Sequence, residues 1–273
     1  MMSSEEVRGA WDLLATGYDE LFTPYNISFA EGPLRQVGLR TGMRFLDVAA
    51  GTGGLSVPAA RLGAQVLGVD ISPAMVERLT VRARKEGLSN VEGRVMDGQA
   101  LDLEDDTFDV AGSQCGIMLF PDLRRGLSEM VRVTKPGGRV LIVAFGTPKN
   151  VEFITFFIGA MQTAISGFNG FPKDPPPLAF QVADPEVLRR RMVEAGLTDI
   201  RVETVTYDLE FESGKHLWDF ATNSNPIGAM MVAGLTDEQS DSVRQVLDGM
   251  LAERSGGGSA VLHNEMNIGI GTK

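Results

Sequence analysis

Between residues 43 and 145 short apolar runs alternate with longer stretches of helical period, and this alternation restricts the fold more than any other feature. The runs read M-R-F-L-D-V, A-Q-V-L-G-V-D, V-E-G-R-V-M-D, F-D-V-A-G-S and R-V-L-I-V-A-F; helical patterns over 52–62, 72–86 and 123–133 lie among them. Strands separated by helices pair in parallel, because a parallel neighbour needs a long crossover. Right-handed crossovers then cover both faces with helices, which predicts an α/β, doubly wound sheet. The punctuation agrees. Ser72-Pro73 reads as an N-cap followed by proline in the first turn, and Gly87 as that helix's stop. Lys135-Pro136-Gly137-Gly138 reads as the turn before the fifth strand.

The flanks differ. Residues 5–40 read as helices broken at Pro24, and 151–167 as an apolar helix. The segment 169–177, N-G-F-P-K-D-P-P-P, reads as a stiff loop. A helix opens at Asp184-Pro185 and ends at Gly196; 198–211 alternates as a strand. Residues 215–254 suit two or three helices, S-G-G-G-S at 255–259 is a flexible turn, and 260–270 reads as a last strand. The chain thus divides into cap helices (1–40), a ligand-binding core (41–146), and lid helices with the last two strands of the same sheet (147–273), one structural domain overall. Its 273 residues, 43% hydrophobic, suit that size.

The first run leads into F-L-D-V-A-A-G-T-G-G, residues 45–54, a glycine turn after a strand. A phosphate loop would end in Gly-Lys-Ser/Thr, but Leu55 follows Gly54. A dinucleotide fingerprint would place a third glycine where Ser56 stands, and Asp47 would repel a pyrophosphate. S-adenosylmethionine has no phosphate and carries an ammonium and a sulfonium, so Asp47 becomes favourable. Asp70 closes the second strand, where it can accept ribose hydroxyls. Asp97 follows the third, within reach of an adenine amino group. Three carboxylates on the strand ends where doubly wound sheets bind ligands are more specific than the glycines.

F-L-D-V-A-A-G-T-G, G-V-D-I-S-P-A-M, R-V-M-D-G-Q-A-L, D-D-T-F-D-V-A-G-S-Q and V-T-K-P-G-G-R-V-L-I-V resemble the successive motifs of class I S-adenosylmethionine-dependent methyltransferases. The nearest type is that of ubiquinone/menaquinone biosynthesis and its small-molecule relatives. The likeness runs from about residue 41 to 146, with A-T-G-Y-D-E-L similar to the family's opening helix. It implies a Rossmann-like seven-stranded sheet with helical lid elements, the last strand antiparallel between the fifth and sixth. It also implies a site. Ala49 and Gly51 would offer backbone to the methionine part, and Asp47 would anchor that turn and the ammonium. Asp70 would bind the ribose; Ile71 and Met75 would pack on the adenine, whose edge Asp97 and the Gly98 amide would read. Ser113 and Gln114 would line the sulfonium side, and Tyr18 would close over the amino-acid end. Ala49-Ala50 departs from the family's usual Gly-Cys or Gly-Ser, a change small enough to leave binding intact.

Methyl transfer needs alignment with an activated carbon, and a base only where the acceptor must lose a proton. His216 and His263 are the chain's two histidines, both expected at the same sheet edge. Each is a candidate base, set against a packing or surface role. Cys115 is expected as a pocket-wall thiol; Tyr18, Phe22 and Tyr25 as an aromatic cap; Met118, Met161, Met230 and Met231 as an adaptable apolar lining or plain core. Gly112-Ser113-Gln114-Cys115 is neither the Asn/Asp-Pro-Pro-Tyr/Phe of nucleobase amino methylation nor the Pro-Cys of cytosine-C5 enzymes. With a net charge of -11 this argues against nucleic acid as a partner. Arg189-Arg190-Arg191 reads as a solvated helix face. The segments 151–182 and 213–258 read as a lid over a small, fairly apolar acceptor.

The expected activity is direct in-line methyl transfer to such a small molecule, to a hydroxyl ahead of a nitrogen or carbon. The alternatives are a nicotinamide oxidoreductase and a non-catalytic cofactor-binding subunit. No metal is expected, and the longest apolar run, 153–168, is too short and interrupted for a membrane span of roughly 20 residues. A single cysteine and a polar, acidic start suit a cytoplasmic protein. Oligomeric state is not legible, a homodimer being one option.

Overall fold

The computed structural model describes residues 4–171 and 177–273. Helix α1 (Ser4–Gly17) leads through a π-helical turn, Tyr18–Phe22, into α2 (Thr23–Gln36). The break expected at Pro24 falls at the start of α2, where proline costs no helical hydrogen bond, and the chain widens by one π turn just before it.

The alternating region follows as β1 (Arg44–Val48), α3 (Ser56–Arg61), β2 (Gln65–Asp70), α4 (Pro73–Lys85), β3 (Val91–Val95), β4 (Phe108–Gln114), α5 (Leu123–Val133) and β5 (Thr134–Phe145). Ser72 caps α4, its side chain accepting the Met75 N–H at 3.1 Å. Then come α6 (Glu152–Ala164), α7 (Pro185–Glu194), β6 (Thr198–Phe211), α8 (Gly214–Asn223), α9 (Pro226–Val232), α10 (Asp237–Ser255) and β7 (Ala260–Thr272). Residues 172–176, most of the expected stiff loop, lie outside the described residues.

The seven strands form one Rossmann-like sheet in the order β3-β2-β1-β4-β5-β7-β6. Strands β1 to β5 pair in parallel, and β7 runs antiparallel between β5 and β6. Strand order reverses between β1 and β4, so the crevice at their carboxyl ends is where such a sheet accepts a ligand. Asp47 lies in register with Gly68 on one side and Gly112 on the other, and a Cβ on Gly68 would come within 2.6 Å of Leu79. Glycine there lets α4 close on the sheet behind the turn. One expectation shifts: the Pro136-Gly137-Gly138 turn lies within β5. Gly137, at φ 77°, lets these residues bulge out, so Phe108 pairs with Thr134 but Val110 already with Arg139.

Helix α4 packs on β2 and β3, α5 on β4 and β5, and α7 on β6 and β7. Helices α6, α8 and α10 pack on one another, with α6 and α10 also against β7. No helix among the described residues is long and apolar enough to cross a membrane.

Candidate active site

The turn after β1 is held in the left-handed region, with φ 58° at Ala49, 53° at Gly51 and 102° at Gly53. This coil turns the Gly51 N–H toward β2, where Asp70 Oδ2 accepts it at 2.9 Å. Asp70 Oδ1 accepts the Ser72 N–H at the same distance. Each carboxylate oxygen keeps a free lone-pair direction. Burial pushes Asp70 up to about 6 against the Ser72 and Gly51 hydrogen bonds and a weaker backbone contribution from Ile71.

Asp47 sits deeper, 1% exposed. Its Oδ2 accepts the Ser56 hydroxyl at 2.6 Å, and its Oδ1 is buried without a partner. Burial outweighs the Ser56 bond and pushes Asp47 up to about 7. Serine at position 56, where a dinucleotide site would need glycine, is thus the group that holds Asp47 in place.

The N-terminal helices roof this turn. The Tyr18 ring lies against Gly51, where an added Cβ would meet it at 3.2 Å, and Trp11 meets Tyr18 edge-on at 5.7 Å. Burial raises the Tyr18 hydroxyl well above its ordinary range. Asn26 Nδ2 donates to that hydroxyl at 3.0 Å, while the Asn26 carbonyl accepts Gln114 Nε2 at 2.9 Å. Asp12 Oδ1 accepts the Ser72 hydroxyl at 2.5 Å and the Ala74 N–H at 3.2 Å, fastening α1 to the start of α4.

These pieces enclose a cavity whose space, counted out into the open mouth, is about 780 Å³. Of the residues singled out in the sequence, Tyr18, Ala49, Gly51, Asp70, Ile71, Met75, Asp97 and Gly98 all line it. Asp47, Ser113 and Gln114 stand behind the lining, all buried. Ser113 Oγ accepts the Ile117 N–H at 3.0 Å, and Gln114 keeps a buried, unpartnered Oε1. Phe22 and Tyr25 line a neighbouring space instead. Met118 and Met161 are buried in the core, Met231 packs against it, and Met230 is 70% exposed.

Neither histidine lines the cavity. His263 lies exposed on β7 with Nδ1 2.7 Å from Asp208 Oδ1, and His216 sits at the start of α8, its ring 5.2 Å from that of Phe211. Cys115 lines the cavity, as expected of a pocket-wall thiol, whereas sequence reasoning missed Trp11, Gln99, Leu119 and Phe120. The signal for Leu119 and Phe120 was their position just past the end of β4; for Trp11 there was none.

No lining residue is Lys, Arg or His, so nothing here compensates a phosphate. A Gln99 N–H on Asp97 Oδ1, at 2.8 Å, fixes a polar group in a lining that also holds the apolar Ile71, Met75 and Leu119. The arrangement suits a flat ring between apolar walls, hydroxyls at Asp70 and a cationic group near Asp47. Among the described residues no cluster of three or more His, Cys, Asp or Glu could hold a metal.

A family model described as "Methyltransferase domain" matches residues 39–163. The chain is 38% identical over 148 residues to demethylmenaquinone methyltransferase of Clavibacter sepedonicus, covering 53% of this chain and 57% of that one. It is 33% identical over 164 residues to 2-phytyl-1,4-naphtoquinone methyltransferase of Trichormus variabilis, covering 56% and 70%. It spans 39% to 57% of the length of the first curated relatives it matches. In fold it is similar to Haemonchus contortus phosphoethanolamine N-methyltransferase 2, solved with phosphomonomethylethanolamine and S-adenosylhomocysteine, at TM-score 0.61 and 20% identity, covering 100% of this chain and 61% of that one.

Proposed function

This chain belongs to the class I S-adenosylmethionine-dependent methyltransferases, and on that premise we propose that it transfers the methyl group to a small, fairly apolar acceptor. The observation that carries the reading is the Asp70 carboxylate, fixed by two N–H donors in a cavity without a basic side chain. The residues fit the cofactor: Asp70 for the ribose, Ile71 and Met75 for the adenine faces, Asp97 and Gly98 for its edge. Tyr18, Ala49 and Gly51 close on the amino-acid part, which Asp47 orients from behind with Ser113 and Gln114. When bound, the sulfonium supplies a methyl carbon activated for displacement. The chain's own part is to align and to exclude water, and alignment alone is worth roughly 7–11 kcal/mol of barrier. Asp12 and Tyr18 serve it by holding α1 and the π turn over the cavity.

The acceptor atom has two readings. A hydroxyl is the expectation from the sequence. A ring carbon is favoured by the relatives named for demethylmenaquinone and for ubiquinone/menaquinone C-methylation. Both histidines stand outside the cavity lining, so the proposal rests no step on them. Calorimetry with S-adenosylmethionine and S-adenosylhomocysteine tests the cofactor; absence of binding by either sinks the reading. Transfer of a ¹³C-methyl group to hydroxylated arenes then tells an ether from a ring methyl by its chemical shift.

A further inference from the structure

We infer that the outer edge of β3 is a docking surface for a second copy of this chain, the two β3 strands pairing antiparallel about Gly93 and joining two sheets into one. The inference stands apart from the methyl-transfer reading. Strand β3 ends the sheet, and no strand among the described residues lies beyond it. Its backbone groups alternate in direction. The Asn90 carbonyl accepts the Val66 N–H at 2.9 Å, and the Met96 N–H donates to the Asp70 carbonyl at 2.8 Å, so the even positions face β2. The N–H and C=O groups of Val91, Gly93 and Val95 therefore point away from the sheet, a row onto which another strand can pair.

The edge is its own complement. It reads V-E-G-R-V, residues 91–95. An antiparallel copy centred on Gly93 sets Val91 opposite Val95 and Glu92 opposite Arg94, in both directions. The outward-pointing groups of Val91, Gly93 and Val95 then fall at the hydrogen-bonded pairs. Glu92 and Arg94 fall at the closer, non-bonded pairs, where opposite charges stabilise a sheet. Within one chain Arg94 Nε already lies 2.6 Å from Glu92 Oε1, with the side chains 48% and 60% exposed. In the pair each arginine gains a second glutamate, from the other copy. Charges on an edge strand ordinarily keep it single; in this order they favour its own copy.

The surroundings leave room. Gly93 brings no side chain to the two-fold axis. A Cβ there would meet Val76 and Thr80 at 3.0 and 3.1 Å, so α4 covers the face of Gly93, and Glu92 and Arg94 lie on the other. That face opens on a groove also lined by Leu67, Asp102 and Glu104, and none of its lining residues belongs to a helix. Helix α4 packs on both β2 and β3, which sets it back from the edge. Two strand spacings of about 4.8 Å would part the two copies of α4 by about 10 Å, close to the usual 8–10 Å. The sheet's opposite edge makes the contrast. Strand β6 exposes Asp199, Glu203, Asp208 and Glu210 against one arginine, Arg201, on a chain of net charge -11. A second β6 there would bring carboxylates together, whereas β3 carries one charge of each sign.

A five-residue edge makes a small interface, so we expect a reversible dimer with a Kd of about 1–100 µM, measured by sedimentation equilibrium of the full chain. Glu92→Arg and Arg94→Glu each place like charges across the axis and should weaken self-association at least about tenfold, with the melting temperature unchanged. The two variants mixed in equal amounts restore opposite charges at every position. The mixture should associate at least about tenfold more tightly than either variant alone. A wild-type chain that stays monomeric to about 300 µM overturns the inference. So does a dimer that both reversals leave unchanged, or a mixture no tighter than its components, since either places the contact elsewhere.

Discussion

Asp70 Oδ2 accepts the Gly51 N–H at 2.9 Å, so the carboxylate ending β2 fixes the turn that follows β1. One side chain therefore shapes the turn and also faces the ligand. Asp70→Ala removes the acceptor for both the Gly51 and Ser72 amides. We expect S-adenosylhomocysteine to bind at least about a hundredfold more weakly by calorimetry, roughly 2.7 kcal/mol. Asp70→Asn, which keeps one acceptor oxygen, should lose less. Unchanged affinity in Asp70→Ala would remove the main support for the cofactor assignment.

Asp47 gives the site a pH dependence whose sign follows from its burial. Its folded value, about 7, lies above its ordinary 3.8, so the folded chain binds this proton more tightly than the unfolded one. Stability of the ligand-free protein should fall as pH rises from about 4 to 7 and level off above, by up to about 4 kcal/mol. A cationic ligand beside the carboxylate favours the ionised form, so S-adenosylmethionine affinity should rise over the same approach to pH 7. Asp70, at about 6, adds to that rise with the same sign. Asp47→Asn should flatten both curves near pH 7, measured by urea melts and calorimetry from pH 5 to 8.5. Curves of wild-type slope in the variant would show that another group titrates.

Much of this site was legible because a parallel sheet gathers the ends of its strands on one edge. Asp47, Asp70 and Asp97 could be placed there from the order of the runs alone. What could not be read depends on contacts between distant segments. Trp11 reaches the cavity because Asp12 grips Ser72 and Ala74, some sixty positions away. Phe22 and Tyr25 face the neighbouring space because the π turn rotates the chain between them and Tyr18, a change of phase that no 3.6-residue period predicts. That space draws on positions from 22 to 266, and no local pattern announces it. The bulge in β5 was read as a turn, since Pro-Gly-Gly suits either.

The unusual backbone at Ala49 is answered by a glycine packed directly against it. A Cβ on Gly116 would lie 2.5 Å from that of Ala49 and 2.9 Å from Ser113 Oγ. Gly116→Ala should cost about 1–3 kcal/mol in a urea melt. Ala49→Gly removes one of the two obstacles and relieves a left-handed alanine, so the double variant should recover about 1 kcal/mol or more of that loss. Simple additivity of the two changes would mean that the backbone moves apart instead.

The histidines can be decided together. His263 is exposed beside Asp208, and His216 Nδ1 accepts the Glu212 N–H at 3.4 Å. From these positions we expect His216→Ala/His263→Ala to keep methyl transfer to a naphthol within about threefold of wild type. A general base typically contributes about 10²–10⁴ in rate, so a drop of that size would install one of them in the reaction.

Gly17 and Gly9 lie in the same helix, and their surroundings predict opposite outcomes. A Cβ on Gly17 would come within 2.2 Å of the Asn223 carbonyl oxygen at the end of α8, whereas nothing lies within 4 Å of one on Gly9. Gly17→Ala must push α1 off α8 or strain both, at about 1–3 kcal/mol. Because Tyr18 is the next residue, the same displacement lifts its ring from Gly51, and S-adenosylhomocysteine affinity should fall along with the urea midpoint. Gly9→Ala meets open space and should stabilise by roughly 0.5–1 kcal/mol, the ordinary gain of alanine over glycine in a helix, with affinity unchanged. If Gly17→Ala lowers stability but leaves affinity at the wild-type value, Tyr18 does not depend on the α1–α8 contact for its place over the cavity.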